Sequence, residues 1–276
     1  MPVQMIERAV IATADLDAGI ASYQRALGLP LVARGSLPEV DIDYAFLGAG
    51  TSFIELMRPR SDQSPLHRFL AKRGGPGLYA IGLLSSDLQA DVDALAAAGV
   101  RHREVTIAAV RGPRSRVVWP DPRDMQGALF QVLDHREAAP QDHPHVVQIW
   151  QCSPLVPDLA LARSRYELIV KGARVEAGSS ARYGYRHNTL YLGAGPHAQS
   201  FELCSPTDSS RPMGRFYQRW GPSIYMITLE VRDLAGLVRG FEARGVRYVS
   251  EPGSARIGYI HPQETPGCFI GLLEVA

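Results

Sequence analysis

Apolar residues recur along the chain in two alternating periods. Four stretches repeat at helical spacing, each opened by an Asp-Leu pair and closed at a glycine: DLDAGIASYQRALG from Asp15, DLQADVDALAAAG from Asp87, DLALARSRYELIVKG from Asp158 and DLAGLVRGFEARG from Asp233. In the first, Leu16, Ile20, Tyr23 and Leu27 fall on one helix face; Leu88, Val92 and Leu95 do so in the second. Leu159, Tyr166 and Ile169 mark the third, and Leu234, Val238 and Phe241 the fourth. An aspartate at the N-cap accepts an orphan backbone N–H, and Gly28, Gly99, Gly172 and Gly245 suit the left-handed position that ends a helix.

A strand-like run precedes each helix and three follow it. The pattern predicts strands at Ile6–Thr13, Leu31–Gly35, Val40–Leu47 and Ser52–Met57, then at Leu78–Leu84, Arg101–Thr106, Ser115–Trp119 and Ala128–Leu133. The same order returns at Val147–Pro154, Ala173–Ser179, Thr189–Leu192 and Ser200–Leu203, and at Ile224–Val231, Arg247–Ser250, Arg256–Ile260 and Phe269–Val275. The unit is βαβββ, present four times. The expected class is α+β: two curved-sheet domains in one chain, with helices on the convex faces and a cavity on each concave face. Domain 1 is assigned to residues 1–135 and domain 2 to 146–276, joined by the polar, proline-containing linker 136–145. A larger repeat agrees with this division. FIELMRPRSDQSPLHRFLAKRGGPGLYAIGLLSSDL from Phe53 is echoed by FELCSPTDSSRPMGRFYQRWGPSIYMITLEVRDL from Phe201.

At 276 residues the chain has room for two such domains, each long enough to bury a core. A net charge of +1 with 21% charged residues gives no nucleic-acid footprint. Cys152, Cys204 and Cys268 are odd in number and widely spaced, which argues against a structural zinc site and for a reducing compartment. The N-terminal residues enter a strand pattern directly, without a signal-peptide pattern, and no apolar run approaches membrane-spanning length. A soluble cytoplasmic protein, monomeric or homodimeric, with a small-molecule ligand and neither nucleic-acid nor membrane partners is expected.

Tandem βαβββ units with these motifs resemble the vicinal oxygen chelate superfamily, which includes glyoxalase I, extradiol dioxygenases and bleomycin-resistance proteins. The motifs ADLDAGIASYQRALG, FIELMRP, SPLHRFLAKRGGPGLYAIGLLSSDL and WPDPRDMQGALFQVLD make the first half most similar to methylmalonyl-CoA epimerases. The resemblance implies a divalent cation in each cavity, held by imidazole or carboxylate donors from four strands. At the corresponding positions this chain carries Arg8, Glu55, Ala80 and Gln131 in the first half, and Gln151, Glu202, Met226 and Gly271 in the second. One carboxylate and a weak amide do not make such a donor set. No metal or other cofactor is therefore expected.

The remaining candidates are acid–base and polar groups. Alternation along Asp41–Leu47 is read with Ile42, Tyr44 and Phe46 under the helices, which turns Asp43 into the cavity, near where related epimerases keep an acid/base glutamate. The bland reading is a solvated edge aspartate. Arg8 and Glu55 are expected to face each other, either as a substrate-binding pair in place of the metal or as a buried ion pair. Gln131 would bind the same ligand, and Gln151, Glu202 and His261 are candidate contacts of the second half, His261 reading first as a turn residue. Tyr79 and Phe130 are assigned to the core. Tyr183, Tyr185, Tyr191 and His187 either line an aromatic mouth or are half-buried strand residues. The chemistry expected is metal-independent proton transfer by an isomerase, epimerase or lyase on a small carbonyl, carboxylate or aromatic compound. The competing reading is non-catalytic sequestration, and a metal-dependent extradiol dioxygenase fits least.

Overall fold

The computed structural model describes residues 3–107, 114–136, 139–171 and 174–275. Two eight-stranded curled sheets carry the chain's two halves. The first comprises β1 (Val3–Ala12), β2 (Leu31–Leu37), β3 (Ile42–Ala49), β4 (Ser52–Pro59), β5 (Gly77–Ser85), β6 (His102–Ile107), β7 (Ser115–Pro120) and β8 (Phe130–Leu133), in the order β2-β3-β4-β1-β5-β8-β7-β6. The second repeats that order with β9 (Val146–Leu155), β10 (Arg174–Ser180), β11 (Tyr185–Leu192), β12 (Gln199–Pro206), β13 (Ser223–Val231), β14 (Tyr248–Ser250), β15 (Ile257–Ile260) and β16 (Phe269–Glu274). Within each βαβββ unit the first strand runs parallel to the last, and two units join antiparallel through β1–β5 or β9–β13.

The helices are α1 (Leu16–Leu27), α2 (Pro65–Arg73), α3 (Leu88–Ala97), α4 (Leu159–Tyr166), α5 (Pro212–Trp220) and α6 (Leu234–Arg244). Asp15, Asp87, Asp158 and Asp233 cap four of them through backbone N–H groups. Helix α4 stops at Tyr166, short of Gly172, which lies outside the described residues. Tighter turns follow, with Leu168 N bonding Arg165 O and Ile169 N bonding Tyr166 O, and they carry Ile169 and Val170 into the core. Among the described residues no helix is long and apolar enough to cross a membrane.

The helix-side core is continuous across both halves. Phe130 of the first sheet meets Tyr166 and Phe201 of the second edge-on, at centroid distances of 5.2 and 5.7 Å. Tyr23 donates to the Pro266 carbonyl, and Arg25 pairs with Glu264 at 2.6 Å. Each large side chain buried in this way contributes about 1.5–3 kcal/mol. The opposite faces carry separate apolar clusters, one around Phe46 and Phe53 and one around Leu155, Cys204 and Met213, and these walls shape the cavities.

Candidate functional site

Each concave face encloses a cavity, of about 420 Å³ in the first sheet and about 460 Å³ in the second. Backbone irregularities repeated in both sheets decide what reaches them. In β1, Ile6 pairs with Leu83 and Arg8 with Gly82, so Glu7 is the extra residue of a β-bulge. In β9, Ile149 pairs with Leu229 and Gln151 with Thr228, leaving Trp150 in the same place. A second bulge makes Tyr79 the extra residue before Ala80, and Tyr225 the extra residue before Met226. A bulge kinks the strand and re-aims its side chains, which strict alternation does not anticipate.

The floor of the first cavity is a charged triad. Arg8 Nε donates to Glu7 Oε2 at 2.5 Å, and Arg8 Nη1 donates to Glu55 Oε2 at 3.2 Å. All three side chains are buried, and the guanidinium lies 4.9 Å from the Phe46 ring centroid. Gly82 makes this placement possible, because a Cβ there would stand 2.4 Å from Arg8 Cγ. Gln131, opposite Gly82 in the sheet, is buried and lines the same cavity. Arg8, Glu55 and Gln131 are thus brought together. Ile42, Phe46, Met57, Tyr79, Trp119 and Leu129 form apolar walls around them.

Asp43 is elsewhere, which corrects the expected facing of β3. Tyr44 and Phe46 belong to the cavity-side cluster, while Ala45 and Leu47 pack beneath the helices. Asp43 shares the latter face, accepts from Ser36 Oγ and Arg58 Nη2 at 2.5 Å each, and lies 3.8 Å from Arg60. The Ser36 and Arg58 hydrogen bonds hold its carboxyl below the usual range, so it is an ion-paired carboxylate outside the cavity. Both faces of β3 are apolar, so its alternation could not say which one met the helices. Tyr79 is likewise not core: the bulge turns it into the cavity, 5.0 Å from Phe69. Phe130 is buried in the core.

In the second cavity Gln151, Glu202, Met226 and Gly271 line the space together. Glu202 accepts from Ser153 Oγ and Tyr185 O–H, at 3.2 Å each, and His187 Nδ1 is 3.9 Å away. Tyr183 donates to Glu251, whose other oxygen is 3.3 Å from Arg182. Burial, followed by the neighbouring Glu202, pushes the Tyr185 hydroxyl well above its ordinary value, so it stays a donor. Tyr191 is outside this mouth, donating to Glu176. Cys204 is buried beside Glu202 with its thiol pushed up by desolvation, the state of an inert core cysteine. His261 is not among the lining residues; its Nδ1 accepts from Gln263 N, as a turn residue does. Glu7 and Glu251 escaped sequence reasoning. The signal for Glu7 was a charged residue beside Arg8 in an otherwise apolar strand.

The metal positions of the fold do not fit an ion in either half. The first offers a carboxylate occupied by a guanidinium, the second a carboxylate and an amide. Among the described residues no cluster of three or more His, Cys, Asp or Glu could hold a metal.

A family model described as a glyoxalase-like domain matches residues 9–170, more than half of the chain. The chain belongs to this glyoxalase-like family. Its fold is that of the vicinal oxygen chelate superfamily, with both domains in one polypeptide. A triple mutant of 4-hydroxymandelate synthase from Streptomyces coelicolor superposes with a TM-score of 0.74, covering 100% of this chain and 93% of that one at 15% identity. That likeness is one of fold. The ethylmalonyl-CoA/methylmalonyl-CoA epimerase of Cereibacter sphaeroides is 30% identical over 130 residues, 46% of this chain and 95% of that protein. Human mitochondrial methylmalonyl-CoA epimerase is 29% identical over 129 residues, 46% and 72% of the respective chains. This glyoxalase-like chain is therefore matched by such relatives over less than half of its length.

Proposed function

We propose that the first cavity carries out metal-independent proton transfer beside a carbonyl group, as an isomerase-type enzyme on a small acyl or carboxyl compound. The observation that carries this reading is the buried Arg8–Glu55 contact of 3.2 Å at the floor of an apolar cavity. Glu55 serves as the base toward a C–H next to the carbonyl. Arg8 supplies the positive charge that the fold otherwise takes from a metal, and Gln131 adds an amide donor toward the developing enolate oxygen. The epimerase relatives, whose names refer to acyl-CoA compounds, support the same class of chemistry. Of the triad's two carboxylates Glu55 lines the cavity and Glu7 does not, and Asp43 lies outside it, which suits a single-base shift in which Glu55 removes a proton and returns it on the same face.

Incubating the chelator-treated protein in D2O with methylmalonyl, 2-methylacyl and 2-oxo acid derivatives, followed by NMR, tests the proposal. Deuterium should enter the position beside the carbonyl, and Glu55→Gln should slow this by roughly 100-fold or more. Unchanged exchange in Glu55→Gln removes Glu55 from the role. The displacement of Asp43 onto the helix face favours one second reading, sequestration without turnover. It predicts saturable binding of such compounds with no exchange.

A further inference from the structure

The two cavity floors differ in what stands beside the carboxylate. At the position of Arg8, which neutralises Glu55, the second sheet has the neutral Gln151, while the carboxylate is kept as Glu202. Thr228 replaces Gly82 beneath it, filling the space along which the arginine side chain runs in the first sheet. Of the charged residues lining the second cavity, Arg182 is engaged by Glu251 at 3.3 Å. That leaves Glu202 with two hydroxyl donors and, among the described residues, an imidazole at 3.9 Å as its nearest ion-pair partner. Its side chain is only 15% exposed.

Around this carboxylate stand Tyr183, Tyr185, Tyr225, Tyr259 and Phe269, with Trp150 delivered by the β9 bulge. Tyr259 stacks on Phe269 at 5.6 Å, and Tyr225 meets the same ring edge-on at 5.6 Å. A half-desolvated carboxylate favours a cationic partner. Aromatic faces attract a cation through the ring quadrupole, and they suit a weakly hydrated organic cation better than a metal ion that needs several oxygen ligands. We propose that the second cavity is a separate ligand site for an organic cation, an alkyl- or arylammonium group seated against Glu202 among the tyrosine rings.

The full chain is titrated calorimetrically with phenyltrimethylammonium, with tert-butylbenzene as its uncharged isostere and with phenylacetate as an anion. The ammonium should bind saturably and at least about tenfold more tightly than either comparator. Glu202→Gln should weaken it by a similar factor, with the near-UV circular dichroism unchanged. The double variant Gln151→Arg/Thr228→Gly, which recreates the first cavity's pairing, should abolish binding while leaving the carboxylate in place. If Glu202→Gln does not fold, the double variant decides. Equal affinity for the uncharged isostere, no saturable ammonium binding, or affinity untouched by the double variant would overturn the proposal. Since none of these measurements involves turnover, they stand apart from the test of Glu55.

Discussion

Ser52 and Gln199 occupy the same position in the two sheets and converge on one carbonyl. Ser52 Oγ and Gln199 Nε2 each donate to Ile6 O at 3.0 Å. Gln199 Oε1 also accepts from Ile6 N, its Nε2 donates to Ile149 O, and Ile149 N donates to Ser52 Oγ. Ile6 and Ile149 are the residues just before the bulged Glu7 and Trp150. The strand segments that deliver Arg8 and Gln151 are therefore fixed from the opposite domain.

Gln199→Leu should destabilise the protein by about 2–4 kcal/mol, because buried backbone groups of both domains lose their partners at once. Urea titration should show a lower midpoint with a single transition, since the helix-side core is shared. A variant that splits unfolding into two steps would show that this contact, and not the shared core, couples the domains.

Arg8→Met leaves Glu7 and Glu55 buried together without their cation, and should cost about 3–5 kcal/mol at neutral pH. Glu7→Gln/Arg8→Met/Glu55→Gln should recover most of the stability. Thermal melts at neutral pH check both statements.

Metal analysis of the purified protein should find well under one equivalent of Fe, Mn, Co, Ni or Zn. Dialysis against EDTA should leave the melting temperature unchanged. A stoichiometric ion lost on chelation, with a fall in melting temperature, would contradict the metal-free proposal.

His143, in the segment between the domains, accepts from His145 N and Val146 N through Nδ1 and is buried beside Leu27 and Gly28. Burial lowers its pKa below the ordinary value, so the unfolded chain binds this proton more readily than the folded one. The resulting stability is fully present above about pH 6.5 and declines as pH falls toward the depressed value. His143→Gln should flatten that part of a pH–stability profile. If the slope persists, the titrating group is a different one.

Asp91 contributes the opposite sign. Burial raises its carboxyl to about 6, against the hydrogen bond from Ser85 Oγ at 2.6 Å. The folded form therefore holds the proton more tightly, and stability falls as pH rises from about 4 to about 6, by roughly 3 kcal/mol in total. Asp91→Asn should remove this slope in denaturant titrations at pH 4, 5 and 6.5.

The architecture was legible because local signals agreed: Asp-Leu caps, helix-ending glycines and a repeated order of strands each pointed to the same unit. The meeting of Arg8, Glu55 and Gln131 followed from counting along strands that pair in the expected order. What escaped was tied to backbone irregularity and to the character of the cavity wall. Tyr79 was misassigned because a bulge breaks alternation within β5. Asp43 was turned the wrong way because an apolar cavity and an apolar core leave the same trace in a strand. Glu7 went unnoticed because strict alternation points the neighbour of Arg8 away from it.

A metal ion can be exchanged, chelated or starved from a protein, whereas a guanidinium is made with the chain. With Arg8 laid over Gly82, the positive charge at the first cavity's floor is part of the polypeptide itself. It also does not deprotonate across the physiological pH range.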